Sequence, residues 1–494
     1  MNIKEAKIHI KNTVEAYFEK DESGEYLIPV EKQRPVFLYG PPGIGKTAVM
    51  EQIAEELNIG LVSYSMTHHT RQSAIGLPFI TKKVFNGKEY DVSEYTMSEI
   101  LASVYEYIET NDKKEGILFL DEINCVSETL SPSMLRFLQY KTFGSHAVPD
   151  GWIVVTAGNP PEYNKSVREY DIATLDRIKK IDVEANYGVW REYAVKKNIH
   201  PAIITYLDLK ESDFYFIEST PDGKSFVTAR GWEDLSRMMT VFESQNTDID
   251  VSLIRQYLQS QTVAEDFADY YETFCTLSET FSKTDVLNGT ADNRLVENLR
   301  NASVSEKLGF INMLVAELSV VSKIAVNYGK TAKAVAEIIK KIKPSFEKGE
   351  NVVSALCDII KTYDRRETAK DIYFKESAEQ KSLNRNIALK LSELKNAVSV
   401  CETDLNTCIS DFLKSELENL KALCETAQSK ISNTSDFFEK TFAEAPELQI
   451  FISAVTLNKY TSLFLMKFGC ERFSEIAENK FDEDSIIDEF KKLI

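Results

Sequence analysis

A glycine-rich loop stands between a predicted strand and a predicted helix near the start of this chain. Residues 40–47 read GPPGIGKT and fit the pattern G-x-x-x-x-G-K-[ST]. The apolar run 36–39 precedes the loop and a helical pattern over 48–57 follows it, which is the local context that the motif requires. Such a loop turns its backbone N–H groups around phosphates, and the helix N-terminus adds positive potential. We therefore predict a nucleotide-phosphate site.

The residue types in the loop suggest separate roles. Lys46 is expected to reach the β and γ phosphates, and Thr47 to bind Mg²⁺ through its hydroxyl group. The residues expected to contact the nucleotide are Gly40, Pro41, Pro42, Gly43, Ile44, Gly45, Lys46, Thr47 and Ala48.

Two further apolar strands are followed by polar side chains. The run 117–120 is followed by Asp121 and Glu122, and the run that begins at residue 152 leads to Asn159. Ligands of open α/β sheets bind outside the carboxyl ends of the strands. Asp121 is therefore expected to join Thr47 in holding Mg²⁺, and Glu122 to polarise the attacking water. The amide of Asn159 is expected to orient that water.

Strands and helices alternate only in the first part of the chain. Strands at 36–39, 61–65, 117–120 and 152–156, with helices at 48–57 and 98–108, predict an α/β fold whose parallel sheet has helices on both faces. From about Tyr187 the pattern is helical, and eleven of the 13 prolines lie at or before Pro221. We predict a nucleotide-binding subdomain over 1–186, a helical lid over 187–280 and an all-helical C-terminal domain over 281–494. The polar segment 282–293 is the predicted linker.

The C-terminal part contains one long periodic stretch. Apolar residues from Ile387 to Ile431 recur with 4-3-4-3 spacing, shifted by one residue after Phe412. This period predicts a single amphipathic helix of about 45–50 residues. Cys401, Cys408 and Cys424 lie on its apolar stripe, where we expect them to pack as small hydrophobic side chains.

Charge and cysteine usage restrict the partners and the compartment. Lys plus Arg number 58 and Asp plus Glu number 77, so the formal charge is −19. That charge excludes a globally basic nucleic-acid coat and argues against docking on an acidic membrane surface. The seven cysteines lack metal-binding or disulfide spacing, which is typical of reduced thiols in a cytoplasm. No run approaches 18 apolar residues, so we expect a cytoplasmic protein without a membrane span.

The order of these motifs resembles the AAA+ ATPases. GPPGIGKT, ILFLDE and TAGN are followed by LDR at 175–177. More narrowly, the chain is similar to the MoxR branch, within the dynein-related, helix-2-insert group. Two stretches support that placement. An Asn-Gly turn divides residues 79–92 into two strand-like runs, where that group inserts a hairpin into helix 2. Residues 141–151 occupy the place of its hairpin before the sensor 1 strand.

The resemblance covers roughly residues 30–276 and implies further roles. Asn159 corresponds to sensor 1, Arg177 to the arginine finger with Arg168 as the alternative, and Arg230 to sensor 2 on the lid. By that resemblance, the expected protein is an ATP-hydrolysing, Mg²⁺-dependent ring, a hexamer, which prefers ATP to GTP. It is expected to remodel a protein partner, in this family often one with a von Willebrand factor A domain.

Two alternative functions and two structural questions remain open from the sequence. One is an AAA+ ATPase that remodels nucleic acid, for which Lys82, Lys83 and Lys88 speak. Another is a slow ATP-dependent switch or scaffold. The predicted hairpins carry aromatic residues that either grip a client or pack the hairpins onto the body, and these are Phe79, Phe85, Tyr90, Phe143 and His146. The C-terminal domain is either a docking arm or packs passively against the lid.

Overall fold

The computed structural model describes two compact units of the chain. The described residues are 1–68, 71–111, 113–144, 146–163, 167, 170–220, 223–347, 352–368, 378–400, 405–443 and 445–481. Unit 1 comprises Met1–Trp190 and Val227–Gly231, and unit 2 comprises Arg191–Phe226 and Trp232–Ile494. The division into three domains at 186/187 and 280/281 stays a prediction.

Unit 1 is an α/β layer structure built on five parallel strands. Its strands are β1 Val36–Tyr39, β2 Gly60–Ser65, β3 Pro78–Phe85, β4 Lys88–Tyr95, β5 Gly116–Asp121, β6 Thr142–Phe143, β7 His146–Ala147, β8 Trp152–Gly158 and β9 Lys179–Asp182. Its helices are α1 Ile3–Phe18, α2 Lys46–Leu57, α3 Arg71–Ile75, α4 Glu99–Asn111, α5 Ser131–Tyr140 and α6 Ile172–Leu175, and α7 Tyr187–Lys197 crosses into unit 2.

The central sheet has the strand order β2-β5-β8-β1-β9. Every pairing in it is parallel, as the alternation of strands and helices predicted. The middle strands β5 and β8 are apolar along their length because helices cover the sheet, and all of β8 is buried. The carboxyl ends of β1, β5 and β8 lie side by side, which brings the loop, the acids and Asn159 to one edge.

Both predicted hairpins are present. Strands β3 and β4 pair antiparallel from Pro78–Tyr95 to Phe85–Lys88. Asn86 and Gly87 close the turn with φ values of 50° and 75°, which is the backbone that an Asn-Gly hairpin turn requires. Strands β6 and β7 form the second, shorter hairpin within 141–151.

Unit 2 is mostly helical and also holds one two-stranded sheet. The sheet pairs β10 Phe216–Thr220 with β11 Gly223–Val227, whose last residue belongs to unit 1. The helices are α8 Pro201–Leu209, α9 Ala229–Ser244, α10 Val251–Tyr257, α11 Gln261–Thr280, α12 Lys283–Asn288, α13 Asn293–Asn301, α14 Val304–Glu347, α15 Val352–Thr368, α16 Ala378–Val400, α17 Leu405–Phe442, α18 Pro446–Leu457, α19 Lys459–Phe468 and α20 Glu471–Phe481.

Buried hydrogen bonds join the lid range to the C-terminal helices within unit 2. Asn312 of α14 donates to Thr205 Oγ1 of α8 at 2.9 Å. Asn458, which caps α19, donates to the Val195 carbonyl of α7 at 3.0 Å. Such buried polar pairs are costly to separate, because each leaves a desolvated group without a partner. The residues of the lid and of the C-terminal domain therefore share one packed unit.

The segment predicted as a linker is a packed helix instead. Ser282 caps α12 and Gly289 ends it with a left-handed residue, so the polar residues act as helix boundaries. Val286 and Leu287 inside the helix are buried. Asn433 of α17 also donates to the Leu287 carbonyl at 3.0 Å. Polar composition alone misled the prediction, since two apolar side chains suffice to dock this short helix.

The single long helix predicted over 387–431 is two helices, α16 and α17. Lys390 of α16 donates to Glu416 Oε1 of α17 at 3.0 Å. In one straight helix these residues would stand about 39 Å apart, at 1.5 Å per residue. The chain therefore reverses direction between α16 and α17. Residues 401–404, which include Cys401, lie outside the described residues. The apolar stripe is real, because Ile387, Leu391 and Ile431 are buried.

One helix in the described ranges is long and apolar enough to cross a membrane by length and composition. It is the stretch Val304–Ile342 of α14, and 61% of its most apolar window is buried in the structure. The core helix of a globular unit passes the same test. Its hydrogen bonds to Thr205 and, through Ser319, to Asn198 are those of a core helix.

Candidate functional site

The glycine-rich loop connects β1 to α2 in the structure. Gly43 and Gly45 have φ values of 76° and 94°, a left-handed backbone that glycine adopts without steric cost. Lys46 is the first residue of α2, so the first amide groups of the helix lack intrahelical partners at the loop. These features form a cradle for phosphate oxygens at the positive end of a helix.

Lys46 lies at the centre of this cradle and is buried. Its ammonium group donates to the carbonyl oxygens of Gly40 at 2.7 Å and Pro41 at 2.8 Å. It also donates to Asn159 Oδ1 at 2.8 Å, which joins two residues that are 113 positions apart. The two predicted site residues therefore meet directly.

Burial lowers the pKa of Lys46 to about 8, against the attraction of Asp121 and Glu122, which raise it. Arg230 lowers this pKa further. In the free protein, the cost of burying the charge is present below pH 8. It disappears as the pH rises from 8 towards the ordinary value of 10.5, because the lysine then folds as the neutral amine.

This pKa predicts that nucleotide affinity falls with pH. Phosphate oxygens favour the charged lysine, so the neutral amine present above pH 8 must take up a proton on binding. We expect the Kd of MgATP to be about tenfold higher at pH 9 than at pH 7, which means weaker binding. Titration calorimetry in two buffers of different ionisation enthalpy measures the proton uptake. Lys46→Ala should remove both the proton uptake and the pH dependence of the affinity. A flat affinity between pH 7 and 9 in the parent protein contradicts the prediction.

Thr47 and Asp121 present oxygen atoms side by side. Thr47 Oγ1 donates to Asp121 Oδ2 at 2.9 Å, across the gap between α2 and the end of β5. Hydroxyl and carboxylate oxygens are the hard ligands that Mg²⁺ prefers, and it binds through few protein ligands when phosphates supply the others. This donor pair fits the ion, and Thr47 and Asp121 would hold it.

Glu122 has an unusual backbone and two hydroxyl partners. Its φ of 55° is left-handed, which is uncommon for a side chain of this type. Its Oε2 accepts hydrogen bonds from Ser65 Oγ at 3.0 Å and Thr67 Oγ1 at 3.2 Å. Neither hydroxyl was expected from the sequence. The sequence feature that could have indicated them is the polar end of β2. That feature becomes informative only once β2 is known to pair with β5, which puts Ser65 opposite Asp121.

Arg230 approaches the loop from the start of α9. A Cβ atom placed on Gly43 would stand 3.1 Å from Thr228 Cβ and 3.6 Å from Arg230 Cβ. The side chain of Arg230 is exposed, and its charge acts on Lys46. The structure therefore brings this predicted residue to the loop.

The described contacts of Arg177 are not made to the loop. Its guanidinium is exposed and donates to the Ala173 carbonyl at 3.4 Å, within its own turn. None of the contacts described for Arg177 reaches Lys46, Asp121 or Asn159. Ile172, one turn earlier, is 85% exposed. The alternative, Arg168, lies outside the described residues.

The hairpin aromatics divide into two groups. Phe143 is 2% exposed and stacks on Phe137 with ring centroids 4.1 Å apart, so of the two alternatives for the hairpin aromatics it follows the second and packs onto the body. Phe143 fills space in the core at the point where the chain passes from α5 to β6. Phe85 and Tyr90 are exposed on β3–β4, and so is Phe79. His146 contacts the Tyr95 carbonyl at 3.2 Å, which ties the two hairpins together.

The hairpin lysines are accompanied by acids. Lys82 pairs with Glu89 at 3.4 Å, and Lys83 pairs with Glu94. These exposed ion pairs leave the hairpin with little local excess of positive charge. They weaken the nucleic-acid alternative, because phosphate binding depends on such an excess.

Comparison with known proteins places the site in a family. Residues 36–164 match the model of the ATPase family associated with various cellular activities, AAA. Similar relatives include the proteasome-activating nucleotidase of Methanothermobacter thermautotrophicus, 29% identical over 118 residues, which are 24% of this chain and 23% of the relative. The replication factor C large subunit of Aeropyrum pernix is 34% identical over 71 residues, 13% of this chain and 15% of the relative.

The chain thus spans less than a quarter of the length of these relatives, and the similarity concerns the nucleotide-binding unit. The matched range runs from β1 to beyond β8, so it contains the loop, both acids and Asn159. With the five-stranded parallel sheet and the lysine-bearing loop, this match identifies residues 36–164 as an AAA-family ATPase domain.

Proposed function

We propose that this protein is a Mg²⁺-dependent, ATP-hydrolysing AAA+ machine. The observation that carries the proposal is the meeting of five side chains at one edge of the sheet. Lys46 contacts Asn159, Thr47 contacts Asp121, and Glu122 follows Asp121 directly. These are the groups that bind phosphates, hold a metal and activate water, and they lie within a matched ATPase domain.

Each group has a distinct task in hydrolysis. Lys46 leaves its carbonyl partners and binds the β and γ phosphates. Bound Mg²⁺ supplies charge neutralisation at the phosphate oxygens. Glu122 accepts the proton of the attacking water, and Asn159 orients that water with its amide. Arg230 adds positive charge from the lid side. Phosphoryl transfer depends on positioning and charge stabilisation more than on covalent catalysis. These residues therefore supply what one subunit must provide, and only the arginine finger is missing from them.

The direct test is phosphate release by the purified full chain. We expect turnover with MgATP, none after Mg²⁺ is removed by a chelator, and a lower rate with MgGTP. Analytical ultracentrifugation with a slowly hydrolysed ATP analogue measures the ring that we propose, a hexamer. Tight nucleotide binding with no measurable turnover supports the alternative of an ATP-dependent switch or scaffold. No nucleotide binding at all overturns the proposal.

The finer proposal is a MoxR-like chaperone that remodels a protein client in the cytoplasm. The exposed aromatics of β3–β4 support it, because apolar groups on a protruding hairpin suit contact with partly unfolded chain. One relative is named for activating a proteasome and the other for replication, so the names alone leave both client classes open. No disulfide joins the described cysteines, which suits a reducing compartment. Proteins with a von Willebrand factor A domain are the first clients to test.

Client contact through the hairpin predicts a specific loss. Phe85→Ser should leave basal ATP turnover at the parent rate but remove its stimulation by a client, since the 53% exposed ring has little fold to support. Leu27→Ser, at a residue that is 57% exposed and not part of the hairpin, is the matched control and should keep the stimulation.

Salt-sensitive binding of single-stranded DNA, lost on changing Lys82, Lys83 and Lys88, favours the nucleic-acid alternative instead.

A further inference from the structure

Asn124 is buried beside the candidate site and has no assigned role. It lies in the short turn Ile123–Cys125, two residues after Glu122, and its side chain is 3% exposed. Its Nδ2 donates to the main-chain carbonyl of Asn159 at 2.8 Å. The turn that follows the acids of β5 is thus bonded to the residue that follows β8.

The amide oxygen of Asn124 faces Gly158, the residue before Asn159. A Cβ atom placed on Gly158 would stand 2.4 Å from Asn124 Oδ1 and 2.9 Å from Phe37 Cε2. Among the described residues, Asn124 Oδ1 has no hydrogen-bond partner. The oxygen therefore lies against the Cα–H of Gly158, in the manner of a weak hydrogen bond. The side chain of Asn124 therefore contacts the last residue of β8, Gly158, and the residue after it, Asn159.

These contacts form a chain from one functional group to another. Asn124 holds the backbone of Asn159, and the Asn159 side chain accepts the Lys46 ammonium group at 2.8 Å. Asn159 follows the last residue of β8, where the sheet no longer holds its backbone. A residue in such a place needs a tertiary contact to keep one orientation.

We propose that Asn124 is a positioning residue that sets the orientation of Asn159 for ATP hydrolysis. This inference rests on the proposed ATPase activity. Asn124 does not touch the nucleotide in this assignment; it acts through the Asn159 carbonyl on one side and the Gly158 backbone on the other. Its loss should misplace Asn159 while leaving the glycine-rich loop intact.

The test is a double-mutant cycle on turnover, with Asn124→Ala, Asn159→Ala and the double variant. We expect Asn124→Ala to lower kcat by about 10- to 100-fold, the size of effect that a small misplacement of a reacting group produces. The Kd for MgATP should change much less than kcat. Because Asn124 acts only through Asn159, the double variant should be no slower than Asn159→Ala alone.

Two further variants separate positioning from stability. Asn124→Asp keeps the size of the side chain but loses the NH₂ donor, so it should reproduce the kcat loss of Asn124→Ala, and it replaces that variant if the alanine protein does not fold. Asn458→Ala removes another buried amide that donates to a main-chain carbonyl, in unit 2, and should lower the Tm with kcat unchanged.

The outcomes are distinct. Losses in the double variant that multiply, or an Asn124 variant that is less stable yet turns over ATP at the parent rate, overturn the inference about Asn124. A parent protein that does not hydrolyse ATP overturns the proposed function itself.

Discussion

Glu122→Gln should lose ATP turnover by about 10²-fold or more while it binds MgATP as tightly as the parent protein. The glutamine amide cannot accept a proton from water, so the base is removed. Thr47 and Asp121, which we propose hold the metal, and Lys46, which we propose binds phosphate, keep their contacts, since none of these contacts is made to the Glu122 side chain. Phosphate release and the Kd of a fluorescent ATP analogue measure the two effects separately.

Ser65 and Thr67 provide the control for this experiment. Their hydroxyls hold Glu122 in the structure, and Glu122 must leave at least one of them to face a water. Changing both to alanine should therefore keep or raise kcat, whereas loss of the carboxylate removes it. Hydrolysis by Glu122→Gln at the parent rate would falsify the assignment of Glu122 as the base.

Arg177→Ala should bind ATP yet hydrolyse it about 10³- to 10⁵-fold more slowly, the effect of removing an arginine finger. The reason is its position. The side chain is exposed and its described contacts lie outside the site of its own subunit, so the charge is available to the nucleotide of a neighbour. The exposed Ile172 beside it suits a surface that a neighbouring subunit covers.

Mixing tests whether Arg177 acts between subunits. Arg177→Ala and Lys46→Ala are each inactive in this scheme, but a co-assembled ring contains sites where an intact Lys46 meets an intact Arg177. Activity should therefore reappear on mixing. Arg34→Ala is the control, because Arg34 precedes β1 at the opposite end of the sheet, and it should behave as the parent. A mixture that co-assembles and stays inactive, or a fully active monomer, contradicts action in trans.

The features that were predicted correctly are carried by contiguous residues. The strand–loop–helix around Lys46, four of the five strands of the central sheet and the Asn-Gly hairpin each depend on a short pattern whose backbone preferences agree with the final fold; the edge strand β9 was not predicted. The carboxyl edge of a parallel sheet also follows from topology, which is why Asp121 and Asn159 could be expected near the loop.

The errors share another origin. The segment 282–293 is polar, yet Lys283–Asn288 within it form a helix because two apolar side chains are buried. The stripe from Ile387 to Ile431 is amphipathic, and periodicity is the same whether one helix continues or two helices fold back on each other. The choice between the two alternatives for Phe143 stayed open for the same reason, because it depends on the position of Phe137.

The sequence by itself determined which residue types stand at the candidate site, because the glycine-rich loop, the paired acids and the polar residue after β8 are short patterns at particular strand ends. Only the tertiary structure decided which side chains support that chemistry. The strand β5 lies between β2 and β8. Ser65 and Thr67 contact Glu122 because they stand at the end of β2 and just after it, and Asn124, which follows β5, contacts Asn159 because Asn159 follows β8. Strand order and side-chain direction arise from packing between distant segments, and local patterns do not encode them.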